Sequence, residues 1–150
     1  MKKLLYLFLM FIALNAFAES NKEVKKEVTK VYHQWCKAIG EAKGDASVVV
    51  KFYAPGALLL PTLSGKLLEN TNGGLNEYFE KLTSLPKVEC EPEKSSIHVH
   101  DNIVVNSGFY EFSYLKDGKK VEIPARFTFT YRKVGDQWMI INHHSSKMPE

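Results

Sequence analysis

The chain has 150 residues, with 20 basic and 17 acidic side chains and a formal net charge of +3. That length makes one domain with a real core. With no basic run longer than a dipeptide outside the first residues, the charge gives no electrostatic footprint for nucleic acid.

The start, MKKLLYLFLMFIALNAFAES, sets two lysines before an apolar run and a small-x-small Ala16-Phe17-Ala18. This pattern predicts a secretory signal peptide over residues 1–18, too short in its greasy part to serve as a permanent anchor. Its removal, which takes Lys2 and Lys3 with it, leaves residues 19–150 at a net charge of +1. A periplasmic or secreted protein is expected, and a cysteine pair is at home there. Cys36 and Cys90 are the only cysteines. Either they form a bridge closing a long loop, or Cys36 is a small buried apolar residue beside Trp35.

From Asn21 to Ala42, Val24, Val28, Val31, Tyr32, Trp35 and Ile39 recur at three- and four-residue steps, which predicts an amphipathic helix. Lys43-Gly44-Asp45 breaks it, and Asp45 is suited to cap a short helix through residues 46–53. Pro55-Gly56 turns the chain into a buried strand-like run, Ala57 to Thr62. Asn70 to Gly74 reads as a loop, and Leu75 to Leu82 as another short helix ending before Pro86.

The second half alternates in steps of two, with turn signals at Asp101-Asn102, Asp117-Gly118 and Gly135-Asp136. Helices followed by a strand meander predict an α+β fold, its helices on one side of a curved antiparallel sheet. In the segment from Lys119 to Val134, Val121, Ile123, Ala125, Phe127, Phe129 and Tyr131 share one face. Glu122, Arg126, Thr128, Thr130 and Arg132 share the other. The apolar stripe is expected to meet a second copy of the chain, and the polar stripe to line a cavity beneath the helices.

His98 and His100 lie on one side of a strand, but no spacing supplies a third ligand, so no metal site is expected. No nucleophile elbow, phosphate loop or dinucleotide fingerprint occurs, and no cofactor is expected. Acid–base chemistry has possible parts in His144, Glu111, Tyr53 and Tyr110, which the sequence alone does not assemble. The pattern favours a ligand pocket: Arg126 with Thr128 and Thr130, and His144 on the neighbouring last strand, form a natural carboxylate site. His144 is expected to face the pocket and His143 to face away.

The stretches FYAPGALLLPTLSGK, NSGFYEF, PARFTFTYRK and DQWMIINHHSSKMPE resemble SnoaL-like proteins of the SgcJ/EcaC type. They also resemble the association (hub) domain of calcium/calmodulin-dependent protein kinase II, within the nuclear transport factor 2-like superfamily. The resemblance implies a cone-shaped fold over residues 19–150, with helices packed into a strongly curved sheet around an internal pocket. It implies no kinase activity. It places Tyr110 and Thr128 where hub domains carry pocket arginines, and a histidine at His144. Trp35 and Tyr53 join Arg126, His144, Tyr110, Thr128 and Thr130 as candidate ligand-binding residues. The implied function is an exported homodimer or higher oligomer that binds a small, carboxylate-bearing molecule. An isomerase, cyclase or hydratase of SnoaL-like type is the alternative, with the catalytic residues unassigned.

Overall fold

The computed structural model describes residues 20–71 and 73–149 in full; the expected export signal, residues 1–18, lies outside the described residues. Helix α1 (Lys2–Glu41), described from Ser20 onward, carries the predicted stripe. Val28, Tyr32, Trp35, Cys36 and Ile39 are buried on one side. Its other side bears exposed pairs such as Lys37–Glu41, worth little to stability. Lys43 (φ 47°) and Gly44 (φ 90°) take left-handed backbone and end it.

Asp45 then accepts hydrogen bonds from the Ser47 amide (3.0 Å) and hydroxyl (2.6 Å). Helix α2 (Ser47–Val50) is a single turn, shorter than expected. Its continuation into Phe52 and Tyr53 gives way to β1 (Tyr53–Leu60), because Tyr53 pairs with the last strand. After β2 (Leu68–Glu69) comes α3 (Gly74–Thr83), which buries Leu75, Phe79 and Leu82. Among the described residues no helix is long and apolar enough to cross a membrane.

Four long strands follow: β3 (Glu89–His100), β4 (Ile103–Lys116), β5 (Lys119–Val134) and β6 (Gln137–Lys147). The turns fall at the three predicted dipeptides. Asp117 (φ 52°) and Gly118 (φ 76°) both have positive φ, the requirement of a tight hairpin that follows the strand twist. Strand β3 starts well before the segment that alternation marks, since Pro92 and a register shift before Ser95 interrupt its pattern.

The sheet order is β2-β1-β6-β5-β4-β3. It is antiparallel except where β1 runs parallel to β6, a pairing that the meander reading did not contain. Helix α1 lies across one face, where Tyr32 packs on Phe127 and Trp35 on Tyr110, Phe112 and Phe129. The stripe from Ile123 to Tyr131 is therefore covered by the chain's own helix. This corrects the expectation that it meets a second copy: Ala125, Phe129 and Tyr131 have no exposed surface left to offer. Cys36 of α1 and Cys90 of β3 are joined as a disulfide, which settles the choice that the sequence left open.

Candidate functional site in the cone interior

Among the described residues the core buries Thr83, Asn106, Ser113, His143 and Ser145 as polar side chains beside its tyrosines, and His143 is the most consequential. It sits on β6 opposite Phe129, and so faces α1 with the apolar stripe. Its Nδ1 lies 2.8 Å from the Tyr53 hydroxyl and its Nε2 lies 3.2 Å from the Tyr110 hydroxyl. Tyr110 donates to Ser145 Oγ at 2.5 Å, and Ser145 in turn meets the Thr62 hydroxyl.

The proton directions follow from counting. Tyr110 has one proton and gives it to Ser145, so His143 Nε2–H must donate to the Tyr110 oxygen. Nδ1 then accepts from Tyr53. The result is a one-way chain, Tyr53 to His143 to Tyr110 to Ser145, ending at Thr62. Trp35 packs edge-on against the imidazole. Its indole N–H makes no hydrogen bond, although it lies close enough to the Tyr53 hydroxyl to favour that oxygen's ionised form.

Electrostatics keep the chain neutral. Burial, aided by nearby His144, pushes the His143 pKa down to about 3, so the imidazole carries no charge at ordinary pH. Burial likewise drives the Tyr53 and Tyr110 hydroxyls far above the usual phenol range; in Tyr110 the bond to Ser145 opposes the shift. A base held near 3 accepts protons poorly at neutral pH, where a catalytic base is best poised near the operating pH.

Beside the chain lies a cavity of about 10 Å³, lined by Trp35, Thr62, Tyr78, Tyr110, His143 and Ser145 among others. The deep pocket that the resemblance implies is thus closed down to the room of roughly one water. A wider groove of about 450 Å³ opens outside it, between α3 and the loop after β1.

The seven candidate ligand-binding residues divide between the two faces of the sheet. Tyr110, Trp35 and Tyr53 come together around His143. Arg126, Thr128, Thr130 and His144 lie on the opposite, outer face, where Arg126 Nε donates to Ser146 Oγ (2.9 Å) and Thr128 meets Ser107 (3.1 Å). Arg126 and His144 are exposed, so the expected carboxylate site around them is not formed within this chain. Glu111, half-buried opposite Pro124, also stands on the outer face.

The inversion of His143 and His144 has a specific cause. Trp138 and Ile140 face inward, and strict alternation would send Asn142 and His144 the same way. A register shift leaves Ile141 as an extra residue, pairing Tyr131 with Ile140 but Thr130 with Asn142. The bulge reverses the phase, so His143 and Ser145 turn inward. Sequence reasoning missed Ser145 for the same reason, and Thr62 because it lies in the loop after β1, where no alternation applies.

His98 and His100 are exposed on β3, with ring centroids 6.5 Å apart. Among the described residues no three His, Cys, Asp or Glu side chains converge as a metal site would require.

Residues 24–149 match the family model described as the calcium/calmodulin dependent protein kinase II association domain. A crystal structure from Xanthomonas campestris with that same family description is 35% identical. It has a TM-score of 0.74 and covers 83% of this chain and 87% of its own. The hub homology domain from Chlamydamonas reinhardtii is 20% identical, with a TM-score of 0.67, covering 84% of this chain and 99% of its own. A protein from Streptomyces avermitilis described as a dehydratase of the NTF2-like family is 12% identical. Its TM-score is 0.71, and the match covers 83% of this chain and 96% of that one. The last two likenesses speak for the fold alone. No curated protein is similar enough in sequence to count as a match.

Proposed function

The chain belongs to the calcium/calmodulin dependent protein kinase II association domain family, with a nuclear transport factor 2-like fold, and from that premise we propose an exported, self-associating module that holds a small molecule in the groove at the mouth of its cone. The observation that carries the binding reading is the buried chain from Tyr53 through His143 to Thr62. A core needs no such chain for stability: apolar groups of the same shape would serve as well, and each member left unpaired is costly. Its placement beside a cavity gives it a use.

Self-association is supported by the family description and by what the outer face offers. Leu58, Leu60 and Phe109 are exposed large apolar side chains on that face, next to Thr128, Thr130 and His144. This face, rather than the stripe under α1, is the one left for a second copy. Export is supported by the signal pattern of residues 1–18 and by the Cys36–Cys90 disulfide, which suits an oxidising compartment.

Acid–base catalysis is the second reading, favoured by a histidine wired through Tyr110 to Ser145. The low pKa of that histidine makes binding the better conclusion. Mass spectrometry of small molecules released from natively purified protein tests the binding reading, and an empty interior in every preparation would overturn it. Sedimentation of the wild type and of Leu60→Asp tests association: a monomer in both would remove that half of the proposal.

A further inference from the structure

The groove and the small cavity share a wall. Tyr78 and Leu82, both on α3, line each of them. The groove contributes Leu63, Leu68 and Leu85, apolar surfaces brought together by the loop after β1, by β2 and by the turn that follows α3. Its volume of about 450 Å³ falls within the range of small-molecule sites. Behind the shared wall, four polar side chains, Thr62, Tyr110, His143 and Ser145, are set into a mostly apolar lining.

The two chambers make different demands. The inner one has no lysine, arginine or acid in its lining. A carboxylate there would be a buried charge without a partner. Its volume of about 10 Å³ admits one oxygen, not two. The hydrogen-bond count also leaves a definite vacancy. Tyr110 gives its proton to Ser145. Whichever of Ser145 and Thr62 gives its proton to the other, one hydroxyl of that pair keeps a proton without an acceptor, and the Trp35 indole N–H on the same lining is a second unpaired donor. These donors ask for an acceptor oxygen. The charged groups at the groove, Lys66, Lys81 and Glu77, stand only in the outer chamber, and Lys81 is already paired with Glu77 at 2.6 Å.

We propose that groove and cavity form one two-chamber site for an uncharged small molecule, with an apolar ring or chain along the leucines and a single carbonyl or hydroxyl oxygen passed between Tyr78 and Leu82 to the Thr62 end of the chain. The proposal rests on the binding reading above and names the ligand class. It excludes the small acids that the sequence suggested. Tyr78 works as the partition: its ring is half-buried at the boundary, and a rotation about its side-chain bonds joins the two volumes.

Three probes of similar shape test it by calorimetry on the exported chain: cyclohexanone, methylenecyclohexane and cyclohexanecarboxylate. Cyclohexanone is expected to bind at least about tenfold more tightly than either of the others. Thr62→Val, which keeps the shape and removes the hydroxyl, is expected to lose about tenfold for cyclohexanone and nothing for methylenecyclohexane. Leu63→Asp, at an exposed position of the groove, weakens both. Equal binding of all three probes would overturn the ligand class and leave the binding reading standing, as would a Thr62→Val protein that holds cyclohexanone like the wild type. No binding of any probe, together with no small molecule released from native protein, would overturn both.

Discussion

His143 and Phe129 lie directly opposite each other across β5 and β6, with ring centroids 4.1 Å apart. An imidazole against an aromatic core is tolerated because it is neutral and both its nitrogens are hydrogen-bonded. His143→Ala removes the ring, leaves the Tyr53 hydroxyl without its acceptor and takes away the donor to Tyr110, which keeps its bond to Ser145. Urea unfolding is expected to show a loss of about 3–5 kcal/mol, from the cavity and the lost hydrogen bonds together. His144→Ala, on the exposed face, should stay within about 0.5 kcal/mol.

The same histidine makes stability depend on pH with a definite sign. Its folded pKa of about 3 lies below the ordinary 6.5, so between those values the unfolded chain binds a proton that the folded chain refuses. The contribution is fully present above about 6.5 and is lost as pH falls toward 3, at up to about 1.4 kcal/mol per pH unit. Unfolding curves measured from pH 7 to 4 should fall more steeply for the wild type than for His143→Phe. Parallel curves would show that His143 does not titrate in that window.

The disulfide between Cys36 and Cys90 closes a separation of 54 residues. In the chain-entropy picture this is worth about 4 kcal/mol. Cys36→Ala/Cys90→Ala, or the reduced wild type, is expected to unfold at correspondingly lower denaturant. An unchanged midpoint would show that the bridge does not constrain the unfolded chain.

Gly108 on β4 faces the irregular part of β3. A Cβ there would come within 2.6 Å of Ser95 Cα, with the Lys94 carbonyl closer still. Gly108→Ala is therefore expected to cost about 1–3 kcal/mol as the strands are forced apart. Thermal melts would show it, and a neutral outcome would mean that the β3 irregularity yields easily.

Arg126→Ala tests the face assignment from the other side. Arg126 is exposed, and its Nε donates to Ser146 Oγ on the same outer face. Its removal should leave the binding of any interior ligand unchanged in calorimetry. A tenfold loss would place that ligand on the outer face after all.

The architecture was largely legible in the residues. The three- and four-residue steps from Val24 to Ile39 define α1, and the turn dipeptides at 101, 117 and 135 mark the three hairpins of β3 to β6. The site was legible only in half. Trp35, Tyr53 and Tyr110 are large aromatics whose burial follows from their place in the pattern. Which of two adjacent histidines turns inward depends on one extra residue, Ile141, and a bulge leaves no composition signal. The polar stripe with Arg126 misled for a related reason. Alternation separates two faces but does not say which one the helices will cover, and the larger aromatic face won that contest.

The parallel pairing of β1 with β6 has a bearing on how the protein is made. Strand β6 lies in the middle of the sheet, between β1 and β5, yet it comes from the far end of the chain. Until it arrives, β1 with its short partner β2 has no link to the hairpins of β3 to β5. Strands β3 to β5 can pair in order as the polypeptide emerges, but β1 and β2 must wait for β6 to join them to the sheet. The export proposed above would suit that order of assembly, because a chain threaded through a membrane before folding frees all its strands to pair at nearly the same moment.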